Sequence, residues 1–142
     1  MNSGMVENPV KVVLDTNILL SAIGFGGKPA EILSLVLKER ITAVTSPILL
    51  AELEEALRKV LPLSKNDIEL ILDEIDDEFE TVLPRFSIKT SRDEDDNRVL
   101  EAAVEGNCEY IITGDKDLLT LKKYKNIKIL TAEQFLLEIK PT

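Results

Sequence analysis

The sequence contains no histidine, and its 142 residues include a single cysteine, Cys108. Without histidine, the chain has no Ser-His-Asp triad, no Cys-His pair and no His-ligated zinc or iron centre. One cysteine cannot form an intrachain disulfide, and alone it makes a poor zinc site. Any catalysis must therefore use carboxylates, lysines, hydroxyls or an added metal, and carboxylate ligands suit Mg²⁺ or Mn²⁺.

Long hydrophobic runs are also missing from the sequence. No apolar run approaches the ~18 residues of a membrane span, so we expect no membrane insertion. Residues 1–8 are polar and lack the apolar core of a signal peptide, which predicts a cytoplasmic protein with a disordered N-terminal extension. Residues 9–142 suffice for one domain, and 44% hydrophobic residues with a net charge of −9 are typical of a globular chain.

Short apolar segments alternate with helical patterns along the chain. Residues Val10–Leu14 show no polar alternation, which predicts a strand covered on both faces, as in the centre of a parallel sheet. Pro84 favours an edge strand over Thr81–Ile88. The remaining predicted strands are Ile41–Thr45, Tyr110–Ile112 and Ile127–Leu130.

Helices are predicted between and after these strands. Pro29 fits the first position of the second helix. Apolar residues occupy almost the whole circumference of this helix, which indicates that it is deeply buried or part of an interface. The predicted helices are Ile18–Ile23, Pro29–Glu39, Ser46–Leu61, Ser64–Glu80, one from the Asp95–Asp96 region to Glu105, and one opened by Thr131 and Gln134. This alternation predicts a three-layer α/β/α sandwich around a central, mainly parallel sheet of four or five strands.

Two carboxylates, Asp15 and Asp115, follow short apolar strands. If those strands are parallel neighbours, both side chains lie at the same edge of the sheet, where open α/β sheets bind ligands. The alternative is that each residue only caps the helix that follows it.

Glu52 lies within the apolar arc of its predicted helix, between Ile48 and Ala56, at 100° per residue. A carboxylate on an inward face is costly unless it is paired or bound to a metal. The alternative is that Glu52 lies at the rim of this arc, or is a partner for Lys59.

Asp96 lies near the centre of the inward arc of its helix, which Val99, Leu100, Ala103 and Val104 define. Acidic residues at a helix N-terminus complement the positive end of the helix dipole, which explains Asp93, Glu94 and Asp95. This effect does not explain the inward direction of Asp96. Four repelling acids at one edge are consistent with bound divalent cations. Such a centre polarises a phosphoryl oxygen and lowers the pKa of water, so the pattern predicts metal-assisted phosphodiester hydrolysis.

Four segments, taken in order, resemble the PIN domain from about Val10 to Phe135. The nearest resemblance is to toxin-like PIN proteins akin to VapC ribonucleases. The segments are Asp15-Thr16-Asn17, Ser46-Pro47 followed by Glu52-Leu53, Asp93-x-Asp95-Asp96-Asn97, and Tyr110-Ile-Ile-Thr-Gly-Asp115-Lys-Asp117.

The resemblance implies an acidic quartet that is both catalytic and metal-binding, formed by Asp15, Glu52, Asp96 and Asp115. It would hold one or two Mg²⁺ or Mn²⁺ ions and activate water to cleave RNA. Supporting roles would fall to Asn17, Thr113, Asp93 and Asp117. The resemblance also implies the toxin of a toxin–antitoxin pair, with an antitoxin partner, an RNA substrate and a homodimer.

A lysine cluster, Lys116, Lys122, Lys123 and Lys125, follows Asp115 and could supply a basic rim for RNA. The alternative is a solvated surface. Two other functions stay open: a haloacid-dehalogenase-like phosphatase, although Asn17 stands where that family usually has a second Asp, and a catalytically silent PIN binding module.

Overall fold

The computed structural model describes residues 8–139, so the predicted disorder of residues 1–7 lies outside the described residues. Within that range the strands form one sheet in the order β3-β2-β1-β4-β6-β5, parallel throughout except for the β5–β6 pair. The strands are β1 (Lys11–Leu14), β2 (Thr42–Thr45), β3 (Glu80–Thr81), β4 (Tyr110–Ile112), β5 (Lys123–Tyr124) and β6 (Ile127–Leu130).

Helices cover both faces of this sheet. They are α1 (Thr16–Gly24), α2 (Gly27–Leu37), α3 (Pro47–Val60), α4 (Lys65–Glu78), α5 (Glu94–Glu105), α6 (Lys116–Leu121) and α7 (Ala132–Ile139). In β1, Val12 and Leu14 pack into one hydrophobic core, whereas Val13 packs into a second core on the opposite face. Burial on both faces explains why the strand shows no polar alternation. The predicted three-layer sandwich is confirmed.

Local details differ from the predictions. The helix predicted to start at Pro29 begins at Gly27, because Pro29 is tolerated anywhere in a first turn that needs no N–H donor. Of the predicted Thr81–Ile88 strand, only Thr81 lies in a strand, since β3 (Glu80–Thr81) ends there. Helix α6 and the two-residue antiparallel strand β5 were not predicted, and β5 brings the sheet to six strands among the described residues.

Each helix of the described range is, taken singly, too short or too polar to span a bilayer. Helices α1 and α2 reach the length and hydropathy of a span only when taken together, and their axes are bent by 95° relative to each other.

The positions of β1 and β4 determine which edge of the sheet carries Asp15 and Asp115. The two strands are adjacent and parallel, with Leu14 in register with Ile112. Asp15 follows β1 directly, and its backbone N–H donates to the carbonyl of Ile112 at 3.1 Å. Asp115 comes three residues after Ile112 and begins α6 as its N-cap. The two carboxylates predicted to follow neighbouring strands therefore lie at the same edge.

Close packing at the end of α5 predicts a stability effect. A Cβ added to Gly106 would lie 2.8 Å from Cγ1 of Val44, a residue that is 1% exposed. We expect Gly106→Ala to lower the free energy of unfolding by roughly 1–3 kcal/mol, the usual cost of overpacking. Gly114→Ala is the matched control, because no atom lies within 4 Å of its added Cβ. Urea denaturation compares the two, and equal effects would contradict the packing argument.

Candidate functional site

The carboxyl edge of β1 and β4 opens into a cavity of about 420 Å³, which we call the acidic cavity. Lys59 is the one cation among its described lining residues, and Thr16 and Asn17 contribute neutral polar groups. The carboxylates that line it are Asp15, Glu52, Glu55, Asp93, Asp95, Asp96 and Asp115. The structure therefore places all four acids of the predicted quartet around one cavity, together with Asn17 and Asp93.

Thr113 connects the two acids that follow the strands. Its side chain is fully buried, and its hydroxyl donates a hydrogen bond to Oδ2 of Asp15. The hydroxyl oxygen of Thr113 in turn accepts the backbone N–H of Asp115 at 2.9 Å. Asp15 also caps α1, since its Oδ1 accepts the N–H of Ile18 at 2.9 Å. Burial raises the pKa of Asp15, while these hydrogen bonds favour its charged form.

Asp96 reaches the cavity from the first turn of α5 and is only 5% exposed. Its Oδ2 accepts a hydrogen bond from the hydroxyl of Ser91 at 3.4 Å. Asn97 holds that serine in place, accepting its N–H at 2.8 Å and donating to its carbonyl at 3.0 Å. Burial, and then the charge of nearby Asp115, raise the pKa of Asp96 to about 7.

Three carboxylates are close enough to share one cation. Asp93, Asp96 and Asp115 each offer an oxygen, and these atoms all lie within 4.8 Å of one another. Backbone N–H groups orient two of them: Asp95 donates to Asp93 at 2.9 Å, and Asp117 donates to Asp115 at 2.8 Å. Oxygen-only donors at this spacing suit a hard divalent cation such as Mg²⁺ or Mn²⁺. Asp93, predicted only as a supporting residue, is thus part of the closest group.

A second pair of acids, Glu52 on α3 and Asp95 on α5, lies beside this group. Burial, and then neighbouring Asp95, raise the pKa of Glu52 to about 7. Thr16 donates to Glu52 at 3.4 Å. Asp95 is exposed and lies close to Glu52. The ion pair of Lys59 is with Glu55 at 2.7 Å, so it does not support the alternative in which Lys59 pairs with Glu52.

Several predicted residues lie outside the acidic cavity. Asp117 binds Arg92 at 3.4 Å, and its backbone N–H supports Asp115. The lysine cluster is exposed on α6 and beyond, and none of its four members lines the cavity. Sequence reasoning missed Glu55 and Lys59 as lining residues. Their i,i+4 spacing on the helix that carries Glu52 was the available signal.

The fold and the site together define an α/β domain whose sheet edge carries a carboxylate cluster. The sequence profile of the PIN domain matches residues 11–117, and the chain belongs to the PIN domain family. The resemblance drawn from the sequence is confirmed.

Two kinds of relative extend this comparison. The chain is 38% identical over 148 residues to Uncharacterized protein MJ1680 of Methanocaldococcus jannaschii, with 94% of each chain covered. Its fold is similar to that of VapBC2 from Rickettsia felis bound to a DNA fragment from their promoter (TM-score 0.58, 20% identity, 84% of this chain and 97% of that one). It is also similar to FitAcB from Neisseria gonorrhoeae (TM-score 0.54, 14% identity, 86% and 98% covered).

Burial of Asp96, together with the nearby charge of Asp115, predicts an unusual dependence of stability on pH in EDTA. The pKa of Asp96 is raised above that of the unfolded chain, so the folded state binds its proton more tightly. The resulting penalty on stability is absent below about pH 4 and grows as the pH rises towards about 7. We expect Asp96→Asn to remove this penalty and stabilise the metal-free protein at neutral pH by at least about 1 kcal/mol, since one pKa unit corresponds to roughly 1.4 kcal/mol.

Urea denaturation in EDTA at about pH 5 and about pH 7.5 measures this effect. Asp73→Asn is the matched control, because Asp73 is exposed on α4, outside the acidic cavity. A loss of stability in Asp96→Asn at the higher pH would show that the carboxylate acts as a structural partner of Ser91 instead.

Proposed function

We propose that this chain is a metal-dependent endoribonuclease that hydrolyses RNA phosphodiester bonds. The observation that carries the proposal is the convergence of Asp93, Asp96 and Asp115 within 4.8 Å, beside buried Asp15. Membership of the PIN domain family, together with the absence of histidine, is consistent with carboxylate-based chemistry.

Asp96 and Asp115 would hold Mg²⁺ or Mn²⁺, with Asp93 beside them and Asp15 oriented by Thr113. A divalent cation bound there lowers the pKa of water and polarises a phosphoryl oxygen. Asn97 keeps Ser91 against Asp96, which fixes the direction of that carboxylate. Asn17, exposed in the cavity, offers an amide donor to a phosphate oxygen without adding charge.

Glu52, on α3, completes the proposed catalytic quartet. The helix that carries it starts at Pro47 behind a capping serine, so its position is determined by α3 and not by the sheet. Thr16 links Glu52 to the start of α1, directly after Asp15. This linkage holds carboxylates on both sides of the space that a phosphodiester would enter.

The proposal includes the toxin role in a toxin–antitoxin pair. Its support is the resemblance to toxin-like PIN proteins and the similarity in fold to VapBC2 and FitAcB. The homodimer and the cytoplasmic location stay predictions. We no longer propose the phosphatase function, because the chain belongs to the PIN domain family and Asn17 stands where haloacid-dehalogenase-like phosphatases usually have a second Asp.

Cleavage of a mixed pool of RNAs tests the proposal directly. We expect cleavage in Mg²⁺ or Mn²⁺ and none in EDTA, with 5′-phosphate and 3′-hydroxyl ends, because water is the attacking group. Products are identified by end-labelling and mass spectrometry. A 2′,3′-cyclic phosphate end, or undiminished activity in EDTA, would contradict the proposal.

The matched variants in this assay are Asp96→Asn and Asp95→Asn, which remove neighbouring charges on the same helical turn. Asp96 is buried and is one of the three clustered carboxylates, so removing its charge should reduce the rate of cleavage by at least ~10²-fold. Asp95 is exposed and should matter much less. Equal losses, or the reverse order, would overturn the roles assigned to the two residues.

A further inference from the structure

A second depression adjoins the acidic cavity along α6, and we call it the polar groove. It has a volume of about 240 Å³ and is lined by Thr90, Ser91, Arg92, Asp117, Thr120 and Leu121. Two contacts join its walls to the acidic cavity: Ser91 donates to Asp96 at 3.4 Å, and Asp117 donates its N–H to Asp115 at 2.8 Å. A strand leaving the acidic cavity on this side therefore enters the polar groove.

Arg92 provides the positive charge of the polar groove. Its side chain is 90% exposed, and its partner Asp117 lies at 3.4 Å with a side chain that is 47% exposed. Exposed ion pairs of this kind contribute only about 0–1 kcal/mol. A phosphate group can therefore replace Asp117 as the partner of Arg92 at little cost, and a guanidinium suits phosphate geometry.

Lys122, Lys123 and Lys125 form what we call the lysine end of the groove. They are exposed and follow α6, whose six residues span roughly 9 Å. Within the described part of the chain, no carboxylate lies within ion-pair distance of these three ammonium groups. The Lys125 ammonium lies 5.9 Å from the centroid of the Tyr124 ring, which helps to order it.

The pairing of β5 with β6 makes this concentration of charge unusual. Lys123 stands directly opposite Lys128, and like charges in that position destabilise a sheet. Glu138 neutralises Lys128 at 2.6 Å but leaves the lysine end positive. On a chain of net charge −9, such a patch beside a cavity lined by acids is suited to hold an anion that the acids alone would repel.

We propose that the polar groove and its lysine end bind the phosphate backbone of a single-stranded RNA substrate next to the cleaved bond. This inference rests on the proposed ribonuclease function and adds the path that the strand takes. Arg92 contacts the phosphate nearest the acidic cavity, and the lysine end contacts phosphates farther along. Spaced cations along a groove recognise a single strand by its backbone, with little preference for sequence.

An RNA-binding measurement in EDTA tests the path without cleavage. The affinity for a labelled single-stranded RNA oligonucleotide of mixed sequence is measured by fluorescence anisotropy over a range of salt concentrations. Each lost phosphate contact should reduce the slope of log affinity against log salt by roughly 0.7. We expect about that change for Arg92→Gln and up to about three times as much for the triple variant Lys122→Gln, Lys123→Gln, Lys125→Gln. In Mn²⁺, both variants should raise KM for RNA cleavage and leave kcat nearly unchanged.

Matched control variants distinguish the loss of phosphate contacts along the groove from the effect of a general change in net charge. Arg58→Gln removes an exposed arginine paired with Glu54 at 2.7 Å, outside the cavity and the groove. The triple variant Lys28→Gln, Lys38→Gln, Lys65→Gln removes three exposed lysines elsewhere on the surface. Unchanged salt slopes in the groove variants, equal changes in the controls, or no RNA binding by the wild type would overturn the path.

The outcomes also distinguish this inference from the proposed function. If the wild type cleaves RNA in Mn²⁺ but the groove variants behave like the controls, the path is wrong and the function stands. If the groove variants lose binding while no cleavage occurs in any divalent cation, the groove is an RNA-binding surface and the ribonuclease function is wrong.

Discussion

Repulsion among carboxylates at one edge of the sheet is the constraint on which the rest of the structure depends. Asp93, Asp96 and Asp115 bring oxygens within 4.8 Å of one another, and burial and charge raise the pKa of Asp96 to about 7. Folding must hold these groups together without a partner of opposite charge among them. The parallel pairing of β1 with β4, covered by helices on both faces, provides the rigid base on which they stand.

Backbone dipoles and hydrogen bonds offset part of that repulsion. Asp15 caps α1, Asp93 caps α5 and Asp115 caps α6, so three helix N-termini direct their positive ends at the acidic cavity. Thr113 bridges Asp15 and the backbone of Asp115, and Asn97 fixes Ser91 against Asp96. These contacts direct the carboxylates inward in advance, which is what a preorganised cation site requires. The same acids therefore serve as structural caps and as proposed ligands.

Much of this arrangement could be predicted from the sequence, because it follows from short-range rules. The positions of Asp15 and Asp115 after short apolar strands indicated a shared edge. The helical arc of α5 indicated that Asp96 points inward, where it is 5% exposed. The approach of Asp95 to Glu52 could not be predicted in this way, since it depends on how α3 and α5 lie relative to each other. Lys59 was missed as a cavity residue, although its i,i+4 spacing from Glu55 on the helix that carries Glu52 was a usable signal. Strand β5 was missed because two residues carry no periodic pattern.

The central claim is that the clustered carboxylates hold a divalent cation, and anomalous diffraction from crystals grown with Mn²⁺ tests it most directly. The crystals should be grown above pH 7, because Asp96 must be ionised to act as a ligand. The account predicts an anomalous peak bound by Asp96 and Asp115, with Asp93 or Asp15 beside it. Ordered carboxylates with no peak between them at saturating Mn²⁺, or a peak only elsewhere on the surface, would contradict it.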